Sequence, residues 1–116
     1  MFVLIDPTAT TPVFAQIEVS IATQIATGTI ATGERLPAAR SLADSLGVNV
    51  HTVLRAYQGL RDEGQVELRR GRGAVVVGLP TADGVRDAVA RLTTQAKAAE
   101  IPIGTLLALV RKDYES

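Results

Sequence analysis

The sequence predicts a mostly α fold with one small β-hairpin, and three observations over residues 36–78 predict it. Residues 36–47, LPAARSLADSLG, carry Leu42, Ala43 and Leu46 at helical spacing and stop at Gly47, suited to a left-handed turn. Residues 48–64, VNVHTVLRAYQGLRDEG, open on Asn49, a good N-cap, and place Val53, Ala56, Tyr57 and Leu60 on one stripe before Gly64. From Gln65 the period becomes alternating, with Val66 and Leu68 interleaved with Gln65, Glu67 and Arg69 as in a half-buried strand. Arg70-Gly71-Arg72-Gly73 then turns the chain and residues 74–77 return. Helix, tight turn, helix and hairpin in that order make a winged helix-turn-helix, which lays its second helix in a DNA major groove with the hairpin beside it.

The flanks are read in the same way. Residues 2–5 are β-prone but stop at Asp6-Pro7, which allows a short strand at most. Thr11 as N-cap and Pro12 at the first helical position predict a helix over residues 12–27. Val13, Ile17, Ile21 and Ile25 recur there every four residues, with Phe14 beside them, until Gly28. Residues 28–36 form a connector, Leu36-Pro37 opens the helix that follows, and residues 78–80 close the unit. Beyond Pro80 the pattern is helical again: Val85, Ala88, Val89, Leu92, Ala96 and Ala99, a break at Ile101-Pro102, then Ile103, Leu106, Leu107, Val110 and Tyr114. The domain organisation is therefore a winged helix-turn-helix over residues 1–79 and a C-terminal two-helix dimerisation tail over residues 80–116. A tail of about 35 residues has too little volume for a core of its own. Val85, Val89, Leu92, Ile103, Leu106, Leu107 and Val110 need a partner surface, either the winged helix of the same chain or, the favoured reading, a second copy in a symmetric dimer.

Composition excludes several classes of function. No cysteine is present, so disulfides and thiolate metal sites are ruled out, and a lone histidine, His51, makes no multi-histidine metal site. No Ser-His-Asp set can be assembled, and Asp62-Glu63 at a helix end reads as a solvated pair, so no catalytic residue, metal or cofactor is expected. The opening MFVLID lacks the basic lead-in of a signal peptide, and no apolar run approaches the roughly 20 residues that span a bilayer. A soluble cytoplasmic protein with no membrane partner is expected.

The net charge is zero, which on its face argues against nucleic acid. Distribution matters more than the sum. Arg69, Arg70 and Arg72 crowd one loop, Arg55 lies on the helix before it, and ten arginines stand against two lysines. Arginine is the side chain suited to forked contacts with phosphate and guanine.

A recognition helix presents its leading turn to base edges, where small polar or forked side chains are wanted. Asn49, His51 and Thr52 are of that type, and Arg55 lies one turn on. Arg40, in the first turn of the preceding helix, is either a solvated arginine or a phosphate or base contact. Gly71 and Gly73 are explained by positive φ at a hairpin turn alone. A side-chain-free tip at Gly71, flanked by Arg70 and Arg72, also suits close approach to a minor groove. No Lys-Ser/Thr pair opening a helix follows these glycines, so the loop is no Walker motif. The rival reading is a winged helix used for protein–protein contact without DNA readout, and Val50 and Leu54 lend it support.

The blocks TPVFAQI (11–17), GERLPAARSLA (33–43), LGVNVHTVLRAY (46–57) and GRG (71–73) resemble the GntR family of bacterial transcription regulators over about residues 11–78. IDP at residues 5–7, VNVHTVLRAY and the short two-helix tail resemble its YtrA-like subfamily most. The resemblance implies a homodimer formed by the tail, bound to a double-stranded DNA operator. It further implies a repressor of its own operon and of linked ABC-transporter genes. It places DNA contacts on Arg40, Asn49, His51, Thr52 and Gly71, with Arg55 at a position basic in the YtrA-like branch. Two departures matter: arginine is frequent in the family where this chain has Val50 and Leu54, and an acidic residue where it has Ala39. Family branches with large C-terminal domains bind carboxylic acids, acyl-CoA or a pyridoxal-type cofactor. The stretch after Pro80 is too short for such a domain, and the sequence names no small-molecule effector.

Overall fold

A computed structural model describes residues 1–80 and 83–116, and the chain separates into two compact units, Met1–Thr81 and Ala82–Ser116. In the first, helices α1 (Val13–Ala26), α2 (Ala39–Leu46) and α3 (Val50–Asp62) precede a hairpin of β1 (Val66–Arg69) and β2 (Gly73–Val76). The second holds α4 (Asp83–Ala98) and α5 (Ile103–Glu115).

The four-residue repeat of α1 does what its spacing dictates: Ile17, Ile21 and Ile25 are buried in one row. They meet Leu42 and Ala43 of α2, Val53, Ala56, Tyr57 and Leu60 of α3, and Val66 and Val76 of the hairpin in a single core. α3 is the central element, packed against both α1 and α2. At Gly59, on the side of α3 facing α1, an added Cβ would meet the carboxylate end of the Glu18 side chain.

The helix starts differ from expectation. Pro12 is the N-cap of α1, with ψ 148°, and Thr11 does not cap it; the Thr11 carbonyl instead accepts from Gln16 Nε2 at 2.8 Å. Leu36-Pro37 does not open α2 either. Leu36 N–H donates to Ala74 O at 2.8 Å and Val76 N–H to Glu34 O at 2.8 Å, with Arg35 bridged antiparallel to Val75. The connector thus lies along β2 as a third edge, and Pro37 holds the residue before it extended, so α2 begins at Ala39.

Residues 2–5 form no strand. Their alternation is real, with Val3 and Ile5 packed against the core and Phe2 and Leu4 exposed, but no neighbouring strand is there to pair with. Carboxamides of α1 stand in for one. Phe2 N–H donates to Gln24 Oε1 at 3.0 Å and Gln24 Nε2 donates to Phe2 O at 2.6 Å; Gln16 does the same for Asp6 at 2.7 and 2.9 Å. A primary amide offers the donor and acceptor of a peptide group, which is why glutamine can do this.

The turn between α2 and α3 is as expected, with Gly47 left-handed at φ 69°. In the hairpin Val66 pairs with Val76 and Leu68 with Ala74. Val66 is buried, but Leu68, expected on the buried side of the strand, is exposed, although Ala74 opposite it belongs to the core; β1 is the open edge of the hairpin, whereas β2 is covered by the connector.

In the second unit α4 ends at a turn where Glu100 takes φ 57° and Ile101 N–H reaches back to Ala96 O at 2.9 Å. Ala96 is the one buried side chain of the pair among the described residues. Val85, Val89, Leu92, Ile103, Leu107 and Val110 stay exposed, and so does Leu109, off the expected stripe; Leu106 is half-buried. An apolar groove of about 640 Å³ runs between the two helices, lined by Leu92, Ala96, Ile101, Leu106, Leu109 and Val110 among others.

Candidate nucleic-acid interface

The interface is built from the start of α3. Asn49 is extended (ψ 140°) and its Oδ1 accepts the His51 N–H at 2.8 Å, which satisfies one donor of the first turn and starts the helix sharply. The cap commits that oxygen and leaves Nδ2. With the buried stripe turned inward, His51, Leu54, Arg55 and Gln58 are exposed, whereas Thr52 and Val50 are half-buried. Of the two residues that support the protein-contact reading, Val50 is half-buried against the core and Leu54 is exposed.

Arg55 does not wave freely in solvent. Its Cζ lies 3.7 Å from the centroid of the Phe14 ring. Stacking on the ring face favours the cation and restricts a long side chain, while the guanidinium edge keeps its donors for another acceptor. The sequence reading gave Phe14 no role beyond the core. Its signal was there: an aromatic one step off the isoleucine repeat.

The wing carries the charge. Gly71 and Gly73 have φ 78° and 73°, values that the turn requires and that side chains resist. Arg69 is held by Glu67 at 2.9 Å, while Arg70 and Arg72 are exposed and have no ion-pair partner among the described residues. The uncommitted charge of the loop is therefore that of Arg70 and Arg72, flanking Gly71. Arg40 is likewise exposed in the first turn of α2. Between the start of α2, the side of α3 and the wing lies a cleft of about 350 Å³, lined by Pro37, Leu54, Tyr57, Leu68, Gly71 and Arg72 among others.

Tyr57 fastens this assembly. Its hydroxyl donates to Pro37 O at 2.7 Å, tying α3 to the approach of α2, and burial pushes the phenol up to about 12. An unfolded tyrosine titrates near 10. The raised value means that the folded state holds the proton longer, so the stabilisation is complete below about pH 10 and is lost as pH rises towards 12. The expected loss is about 2–3 kcal/mol across that window, read by urea unfolding at several alkaline pH values. Tyr57→Phe should cost about 1 kcal/mol at neutral pH and flatten the alkaline decline. An equally steep decline in the variant would show that another group causes it.

Among the described residues no cluster of His, Cys, Asp or Glu could hold a metal ion, and no helix is long and apolar enough to cross a membrane. A capped helix with a polar leading face, beside a glycine-turned hairpin with free arginines, defines the class: a winged helix-turn-helix domain of the DNA-binding kind. Residues 14–76 match the family described as bacterial regulatory proteins, gntR family. The chain belongs to that family.

The HTH-type transcriptional repressor YtrA of Bacillus subtilis (strain 168) is 38% identical over 72 residues, covering 62% of this chain and 55% of that protein. The chain thus spans little more than half the length of that relative. YtrA from Sulfolobus acidocaldarius, a GntR-family transcription factor, has a structure with TM-score 0.62 at 30% identity, covering 97% of both chains. The DNA-binding domain of AraR, solved in complex with operator ORX1, gives TM-score 0.58 at 26% identity, covering 66% of this chain and 96% of that one. These similar proteins are transcription regulators and not enzymes, in keeping with the sequence reading.

Proposed function

We propose that this protein is a homodimeric repressor that binds an inverted-repeat DNA operator in a sequence-specific manner, with α3 reading the major groove and the wing clasping the flanking minor groove. The observation that carries the reading is the joint placement of the Asn49-capped turn, with His51 and Arg55 exposed on it, and of a loop whose Arg70 and Arg72 are unpaired among the described residues. The name of the Bacillus relative supports repression, and the operator complex of AraR supports a duplex as the partner. In this reading Arg40, Asn49, His51, Thr52, Arg55, Arg70, Gly71 and Arg72 contact DNA. The tail residues Val85, Val89, Leu92, Ile103, Leu106, Leu107 and Val110 join two copies. The exposed apolar faces of α4 and α5 support that pairing. Regulation of its own operon and of linked ABC-transporter genes follows from the YtrA-like resemblance.

Gel-shift titration of an operator and a scrambled duplex tests the assignment. Arg55→Ala is expected to lower specific affinity by about 1–3 kcal/mol, the range of a good base contact, with little change on the scrambled duplex. Equal operator binding by variant and parent defeats the role of Arg55. Arg72→Ala should weaken both duplexes alike and reduce the slope of log affinity against log salt by about 1. If the protein binds heparin and duplex without salt dependence, the protein-contact reading takes its place.

A further inference from the structure

The polar contacts leave one feature of this surface unused. Leu54 on α3 is 39% exposed and Leu68 on β1 is 46% exposed. Both line the cleft of about 350 Å³ between helix and wing, and Arg35 and Arg72 line it too. A single exposed leucine is ordinary. Two on one cleft, next to a helix face that otherwise offers His51, Arg55 and Gln58, form an apolar patch inside a cationic surround. That surround selects a polyanion over an apolar peptide as the occupant. Among the groups that a duplex displays on its base edges in the major groove, the C5 methyl of thymine is the apolar one.

We propose that Leu54, backed by Leu68, is a specificity-determining contact that reads thymine through its methyl group. The inference rests on the DNA-binding reading of the same surface and adds a base identity to it. An arginine at this place would fork onto guanine O6 and N7. A leucine instead covers a methyl and leaves those acceptors desolvated and unpaired, so it favours thymine and disfavours guanine with one side chain. Leu54 follows His51 by one turn of α3, which places the thymine in the same run of bases as the polar contacts.

The test uses the full chain and duplexes recovered by selection from a random pool, with each thymine of the half-site replaced singly by deoxyuridine, which lacks the methyl alone. The parent protein should lose about fourfold in affinity at one thymine position or two adjacent ones, the fold-change that about 0.8 kcal/mol per buried methyl gives. Leu54→Ala should bind thymine and uracil duplexes equally there. Leu54→Met, which keeps an apolar arm, should retain the discrimination. A parent indifferent to uracil at every position, or a Leu54→Ala variant that discriminates as the parent does, overturns the proposal and leaves the DNA-binding reading standing. Absence of salt-dependent duplex binding overturns both. A change in the oligomeric state of the free protein on Leu54→Ala places this leucine in a protein interface and overturns the proposal as well.

Discussion

Replacing Leu107 of α5 with aspartate is expected to convert the protein to a monomer and to lower operator affinity by about 10²–10⁴-fold. Leu107 is 59% exposed, so a charge there costs the single chain little. Buried against a second copy, the same charge lacks a partner and is strongly opposed. In the proposed dimer, two winged helices joined by their tails would engage the second half-site at a high effective concentration. A single module with zero net formal charge over the chain has neither that advantage nor a large electrostatic one. Sedimentation gives the oligomeric state, and titration of one-half-site and two-half-site duplexes gives the affinity. Half-site binding should survive, because the winged helix has its own core. A Leu107→Asp protein that stays dimeric with full operator affinity removes this face of α5 from the interface.

The second large effect lies in the core. Ile21→Ala empties a site with no solvent exposure and is expected to destabilise the winged-helix unit by about 2–5 kcal/mol. Domains of this size are stable by roughly 5–15 kcal/mol, so a large part of the stability goes with one side chain. Urea unfolding should show a lower midpoint at an unchanged slope. Val19, on the same helix but 62% exposed, is the control: its replacement by alanine should stay within about 0.5 kcal/mol. Similar midpoints for the two variants would show that α1 is not the keystone that its burial indicates.

Local periodicity carried most of the architecture. The isoleucines of α1 and the row Val53, Ala56, Tyr57 and Leu60 of α3 could be read because helical spacing alone decides which way they face, and all of them are buried as expected. Gly47 was equally readable, since a left-handed residue between two short helices calls for glycine. What escaped depends on partners distant in the chain. Leu36 looks like a helix start until Ala74 offers its carbonyl across the sheet, and residues 2–5 look like a strand until Gln24 takes up the backbone groups of Phe2. The stack of Arg55 on Phe14 and the bond from Tyr57 to Pro37 join elements whose packing angle no local pattern encodes. Leu68 shows the converse error. Alternation names a face, but Leu68 lies on the open edge strand and stays exposed while Ala74, opposite it on the covered strand, is buried.

The double support of β2 has a consequence for what the protein tolerates in a binding sequence. Glu34 and Leu36 grip the strand on one side and β1 grips it on the other, so the root of the hairpin is held along both edges of β2. Its extremity hangs on Gly71 and Gly73. In the proposed complex, a finger braced at its base and turned on glycines at its end would follow grooves of unequal width while α3 keeps its seat. On that proposal, variation in the shape of flanking DNA would fall on the two glycines of the tip, and variation in the central bases on the contacts of α3.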